Sequence, residues 1–62
     1  MTQKELLYLE DAVGHEASIL EILNESLKQV DDENIVTFIE EEINKHESIK
    51  EGLKELMEDK CE

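Results

Sequence analysis

Apolar residues recur at alternating steps of three and four along this 62-residue chain, and this spacing limits what it can fold into. Such steps place side chains on one face of an α-helix. Proline is absent, so no proline ring breaks a helix from within. The main stripe of the first half has one polar break and comprises Leu6, Leu9, Val13, Glu16, Leu20, Leu23, Leu27 and Val30. A second stripe beside it, Tyr8, Ala12, His15, Ile19 and Ile22, makes the face wider than one partner helix needs.

Helix boundaries can be predicted from capping residues. The run Thr2-Gln3-Lys4-Glu5 has the spacing of a capping box, so the first helix is expected to begin near Gln3. The pattern breaks between Val30 and Asn34, where Asp31 is the predicted N-cap of a second helix running from about Asp32 to Asp59. A connection this short predicts an antiparallel hairpin.

The second helix has its own predicted inward stripe. That stripe comprises Ile35, Ile39, Glu42, His46, Ile49, Leu53 and Leu56, and Val36, Ile43 and Met57 widen it. Gly14 and Gly52 weaken helices, and they are interpreted as points where the two helices approach closely.

Chain length limits the architecture to a single domain, residues 1–62. A chain this short buries only about 60% of the surface that its unfolded form exposes. Cys61 is the only cysteine, so no disulfide can form within the chain, and a reducing compartment or no redox role is expected. The predicted fold is therefore all-α, an antiparallel two-helix hairpin that dimerises into a four-helix bundle.

Charge excludes several kinds of partner. Eighteen acidic and six basic residues give a net charge of −12. Phosphates and anionic membrane surfaces would repel such a chain, which predicts no nucleic-acid and no membrane binding. Cations and basic proteins are favoured instead. The polar start of the sequence and the lack of a long apolar run predict a cytoplasmic location.

A polar layer interrupts both inward stripes at the middle of the predicted hairpin. Antiparallel pairing brings Glu16 level with His46, with Glu42 one turn away on the same side. His and carboxylate groups together suit divalent iron, manganese or zinc. A plain Glu–His hydrogen bond would equally satisfy two buried polar groups, and periodicity alone favours it. His15 is expected at the surface or at a dimer face, and no catalytic set is recognisable, so no enzyme activity is predicted.

The segments Thr2-Gln3-Lys4-Glu5-Leu6-Leu7-Tyr8-Leu9-Glu10-Asp11, Gly14-His15-Glu16 and Lys45-His46 resemble short ferritin-like proteins of spore-forming Firmicutes, often named for spore coat protein F. The resemblance covers nearly the whole chain. It implies a ferritin-like hairpin, completed to a four-helix bundle by a second copy, and a role in the forespore or spore coat. Ferritin-like di-iron proteins place Glu-x-x-His on the second helix. Ile43 stands where that Glu is expected, which removes a bridging ligand.

Three functions follow as expectations. The first is a small acidic self-assembling structural protein without catalysis, forming a homodimer and associated with the spore coat. The second is a ferritin-like metal-binding protein with a degenerate site at Glu16, Glu42 and His46. The third is an adaptor that offers its acidic helical surface to a basic protein, in which case binding should weaken as salt screens the charges.

Overall fold

The computed structural model describes the backbone of residues 1–60 and the side chains of residues 1–58. Two helices, α1 from Gln3–Leu27 and α2 from Glu33–Lys60, pack against each other along their length. The all-α helical hairpin is therefore confirmed. Neither helix, over the described residues, is long and apolar enough to cross a membrane. The expectation for Cys61 lies outside the described residues.

The capping box at the start of α1 is confirmed. The Glu5 backbone N–H donates to Thr2 Oγ1 at 3.1 Å, and the Thr2 backbone N–H donates to Glu5 Oε1 at 2.8 Å. That second bond stabilises the carboxylate and lowers the pKa of Glu5 below its ordinary value. Because the folded pKa is depressed, the contribution of this cap is present above the ordinary pKa and is lost as the pH falls through the folded one.

The ends of the helices at the turn differ from the prediction in two ways. α1 ends at Leu27, three residues before Val30. The backbone N–H of Lys28 donates to the Glu25 carbonyl at 3.1 Å, and this bond tightens the last turn of the helix. Asp32, and not Asp31, caps α2. Its Oδ1 accepts from the N–H groups of Asn34 and Ile35, at 2.9 and 3.2 Å. An N-cap carboxylate must lie two and three residues before its donors, so Asp31 is one position too early.

The contact strip between the helices, called here the seam, confirms the α1 stripe and corrects the α2 stripe. Every residue of the main α1 stripe is half-buried. In α2, Ile35, Ile49 and Leu56 are 47%, 40% and 46% exposed, so their predicted inward position is wrong. Compared with the predicted stripe, α2 is rotated about its own axis by roughly one residue. The α2 side of the seam comprises Val36, Ile39, Ile43, His46, Lys50, Leu53 and Met57. The apolar face of α2 is wide enough to permit either rotation, and packing against α1 selects this one.

The hairpin has two unlike faces, one on each side of the seam. On one side, called here the polar face, Leu20 and Asn24 of α1 share grooves with the α2 residues Glu40, Asn44, Glu47, Lys50 and Glu51. A helix has about 3.6 residues per turn, so the residues of the opposite side recur every three or four positions along each helix. That side carries most of the exposed large apolar side chains together with the half-buried Ala12 and Ile19, and is called here the apolar face: Met1 just before α1, Tyr8, Ala12, Ile19 and Ile22 of α1, and Ile35, Phe38, Ile49 and Leu56 of α2.

The glycines do not mark a close approach of the helices. Both are exposed, and a Cβ atom added at Gly14 or Gly52 would meet nothing within 4 Å. The prediction of helix contact at these positions is therefore wrong for the single hairpin, because both glycines lie away from the seam.

Replacing Asp32 with alanine should weaken the hairpin, since two backbone donors at the start of α2 would lose their acceptor. The expected loss is about 1 kcal/mol in the free energy of unfolding, measured by urea denaturation at fixed protein concentration. Asp31→Ala is the matched control and should change that value by less than about 0.5 kcal/mol. An equal or larger loss for Asp31→Ala would restore Asp31 as the cap.

Candidate functional site

The structure brings together the three residues that the sequence predicts for the polar layer. Glu16 comes from the middle of α1, and Glu42 and His46 lie on successive turns of α2. His46 Nδ1 is 2.6 Å from Glu16 Oε1, and His46 Nε2 is 3.8 Å from Glu42 Oε1. The antiparallel pairing that places Glu16 level with His46 is thereby confirmed.

Hydrogen-bond chemistry assigns the roles of the two ring nitrogens. An ionised carboxylate can only accept, so Nδ1 carries the hydrogen and donates it to Glu16. The distance from Nε2 to Glu42 is too long for a direct hydrogen bond. Nε2 therefore faces Glu42 across a small gap, and the two carboxylates lie at opposite nitrogens of one ring.

The site is partly shielded from water. The side chains of Glu16, His46 and Glu42 are 15%, 20% and 30% exposed, so Glu42 is the most accessible member. Partial burial strengthens the attraction between a carboxylate and an imidazole above its value at a fully exposed surface. Glu42 lies seven residues from both Ile35 and Ile49, so it belongs to the apolar face, and the layer opens toward that face.

This arrangement resembles half of a metal site. A carboxylate bonded to one histidine nitrogen fixes the ring and directs the other nitrogen outward, as the outer partners of metal-bound histidines do. Glu42 and His46 lie four residues apart on one helix, so the Glu42 carboxylate and His46 Nε2 could then bind one ion together. Glu16 points to the opposite nitrogen, so one ion cannot contact all three groups in this geometry. Within residues 1–58, no group of three or more His, Cys, Asp or Glu side chains is arranged to hold a metal.

Two neighbouring residues complete the description of the site. His15 is exposed in the single hairpin, which both of its predicted positions, the surface and a dimer face, allow. Lys50 is half-buried on the turn after His46, at a position where the predicted α2 stripe has Ile49. The spacing Ile43, His46, Lys50, Leu53 could have revealed it, because a lysine stem covers apolar surface while its charged end stays in water.

Replacing His46 with alanine should destabilise the hairpin, because Glu16 would keep its half-buried charge without its hydrogen-bond donor. The expected loss is about 1 to 3 kcal/mol in the free energy of unfolding, measured by urea denaturation. Asn44→Ala removes an exposed polar side chain two residues from His46, on the polar face, and should change the value by less than about 0.5 kcal/mol. Equal effects of the two variants would contradict a structural role for the Glu16–His46 bond.

Comparison with known proteins adds no relative. No protein-family model, no curated protein and no solved structure matches the chain.

Proposed function

We propose that this protein is a small acidic structural protein that self-assembles, as a homodimer, into a four-helix bundle on a ferritin-like scaffold. Its role is to build or coat a larger assembly without catalysing a reaction. The sequence motifs of α1 and α2 resemble those of spore coat protein F-like proteins, and this resemblance supports a location of the assembly in the spore coat.

The observation that carries the proposal is the apolar surface that one hairpin leaves in water. Ile39 is the only apolar residue among the described side chains that is buried, at 8% exposure. The large apolar side chains that remain exposed are Met1, Leu7, Tyr8, Ile22, Ile35, Phe38, Ile49 and Leu56. A chain with so small a core gains most of its stability by covering such side chains.

The shape of the hairpin supports the same proposal. Its Cα atoms extend over 46 × 14 × 10 Å, so the molecule is one helix thick. Domains usually consist of at least two packed layers around a shared core. A second hairpin laid on the first would supply the missing layer and turn the half-buried seam into the centre of a bundle.

Sedimentation equilibrium should therefore give twice the 7.2 kDa mass of the chain at micromolar concentration in physiological salt. Salt is needed because two chains of charge −12 repel each other, and ions screen that repulsion. Circular dichroism on the same samples reports helix content. A fully helical species of 7.2 kDa that persists to high micromolar concentration would contradict self-assembly.

A second candidate function is metal binding, and the position of Glu42 opposite His46 Nε2 favours it. Two groups per chain bind a divalent ion weakly, and a two-fold mate of the pair would complete a four-ligand set, as in helical bundles that carry metals. Glu16 would orient His46 in that site. Iron, manganese and zinc are the ions that suit imidazole with carboxylate.

Thermal melting with added Zn²⁺, Mn²⁺ or Fe²⁺ tests this candidate. An ion that binds only the native state raises the melting temperature, by several degrees once it is in large excess over its dissociation constant. His46→Ala should lose the rise, and Asn44→Ala, an exposed change on the polar face, should keep it. No rise in the wild type, or an equal rise in both variants, would leave Glu16–His46 as a core hydrogen bond alone.

A further inference from the structure

The exposed apolar side chains are not spread evenly over the hairpin. Among the side chains of residues 1–58, every exposed large apolar residue except Leu7 belongs to the apolar face. We propose that this face is the docking surface for a second copy of the chain, and that Glu42 lies inside the resulting interface as its specificity element. The inference deepens the proposed self-assembly and rests on it.

Two rows with a seven-residue repeat form the framework of the face. On α2 the row is Ile35, Glu42, Ile49 and Leu56, and along α1 it is Tyr8, His15 and Ile22, preceded by Met1 just before the helix. A seven-residue repeat keeps an apolar row facing a partner helix over several turns. Each row has one polar member near its middle, so polar residues interrupt the face at mid-length and apolar residues flank them on both sides.

Charge favours this face as the contact between copies. The polar face carries Glu40, Glu47 and Glu51, partly offset by Lys50. Two polar faces in contact would oppose these carboxylates in chains that already carry −12 each.

The apolar face has one acidic residue, Glu42, within its rows, and further carboxylates lie beside its α1 end residues, Glu5 next to Met1 and Tyr8, and Glu21 and Glu25 next to Ile22. At the middle of the face only Glu42 would oppose its own copy, so repulsion is weaker there than between two polar faces. A face that meets its own copy is self-complementary about a two-fold axis, the commonest arrangement in dimers.

The surface area supports a partner of this size. One hairpin of 7.2 kDa exposes 4915 Å². Two chains packed into one compact body would together expose about 6,800 Å² according to the general scaling of surface with mass, so a compact dimer would bury about 3,000 Å² in total. That area lies within the range of about 2,000 to 5,000 Å² that obligate homodimers bury.

Docking on this face changes the surroundings of Glu42. Its side chain is 30% exposed in the single hairpin and lies in the α2 row between Ile35 and Ile49. A second copy would remove much of its remaining contact with water. A polar residue in an apolar heptad row weakens association and selects one register and one number of chains. Glu42 would do this in the dimer, with His46 Nε2 as its neighbour.

The experiment measures the dimer dissociation constant of the full-length chain by sedimentation equilibrium, with circular dichroism as the check on folding. Phe38→Glu places a charge on the apolar face, and Leu7→Glu places one elsewhere at a similar starting exposure, 62% against 56%. Phe38→Glu should raise the dissociation constant by about thirtyfold or more, as expected for an interface hot spot. Leu7→Glu should leave it within about threefold. Ile49→Gln, a milder change on the same face, serves if Phe38→Glu does not fold.

Glu42→Leu tests the specificity element, with Glu47→Leu on the polar face as its control. Glu42→Leu should lower the dissociation constant by about tenfold or add species larger than a dimer, since a carboxylate is removed from an apolar row. Glu47→Leu should do neither.

A dimeric wild type that Phe38→Glu and Ile49→Gln leave intact would overturn the docking face, as would an equal weakening by Leu7→Glu. An unchanged dissociation constant for Glu42→Leu would place Glu42 outside the interface. A monomeric wild type would instead overturn the proposed self-assembly itself.

Discussion

The seam between α1 and α2 is the constraint on which this structure depends. Two helices side by side touch along one strip, so each can cover only part of its apolar surface. The strip holds the chain together with half-buried side chains and a single buried one, Ile39. The remaining features, namely the rotation of α2, the level of the polar layer and the existence of an exposed apolar face, follow from which residues that strip includes.

The Glu16–His46 bond contributes precision to a seam that is otherwise made of similar aliphatic residues. Leucine and isoleucine pack acceptably in more than one register, whereas a carboxylate and an imidazole are satisfied in one. Sliding one helix by a turn would leave both groups half-buried without partners, which is costly. The bond therefore makes other registers less stable than this one, even though its net contribution to the stability of the hairpin is modest. It also gives His46 a fixed orientation toward Glu42, and any ion binding at this layer would depend on that orientation.

Much of the fold could be predicted because local chemistry determines it. The steps of three and four define the helices, Thr2 and Glu5 define where α1 begins, and antiparallel pairing places Glu16 opposite His46. The rotation of α2 could not be predicted, because Ile35, Ile49 and Leu56 form as good a stripe as Val36, Lys50 and Met57 do with their neighbours. Contact between two specific surfaces decides between them. Which aspartate caps α2, Asp31 or Asp32, likewise depends on the residue at which the turn ends. For the site, the sequence indicated the three residues but not that Glu16 and Glu42 lie at opposite nitrogens of His46.

The short turn between Leu27 and Glu33 has a consequence for the order of folding. Contacts between the helices nearest the turn join residues that are close in sequence, so they form with little loss of chain entropy. Later contacts extend the seam outward one turn at a time, and helical proteins with such local contacts fold rapidly. Closing the hairpin is a unimolecular process, whereas joining two copies is bimolecular and slows as the protein is diluted. In dilute solution, the apolar face would therefore be formed and open to water before the second copy of the proposed dimer could cover it.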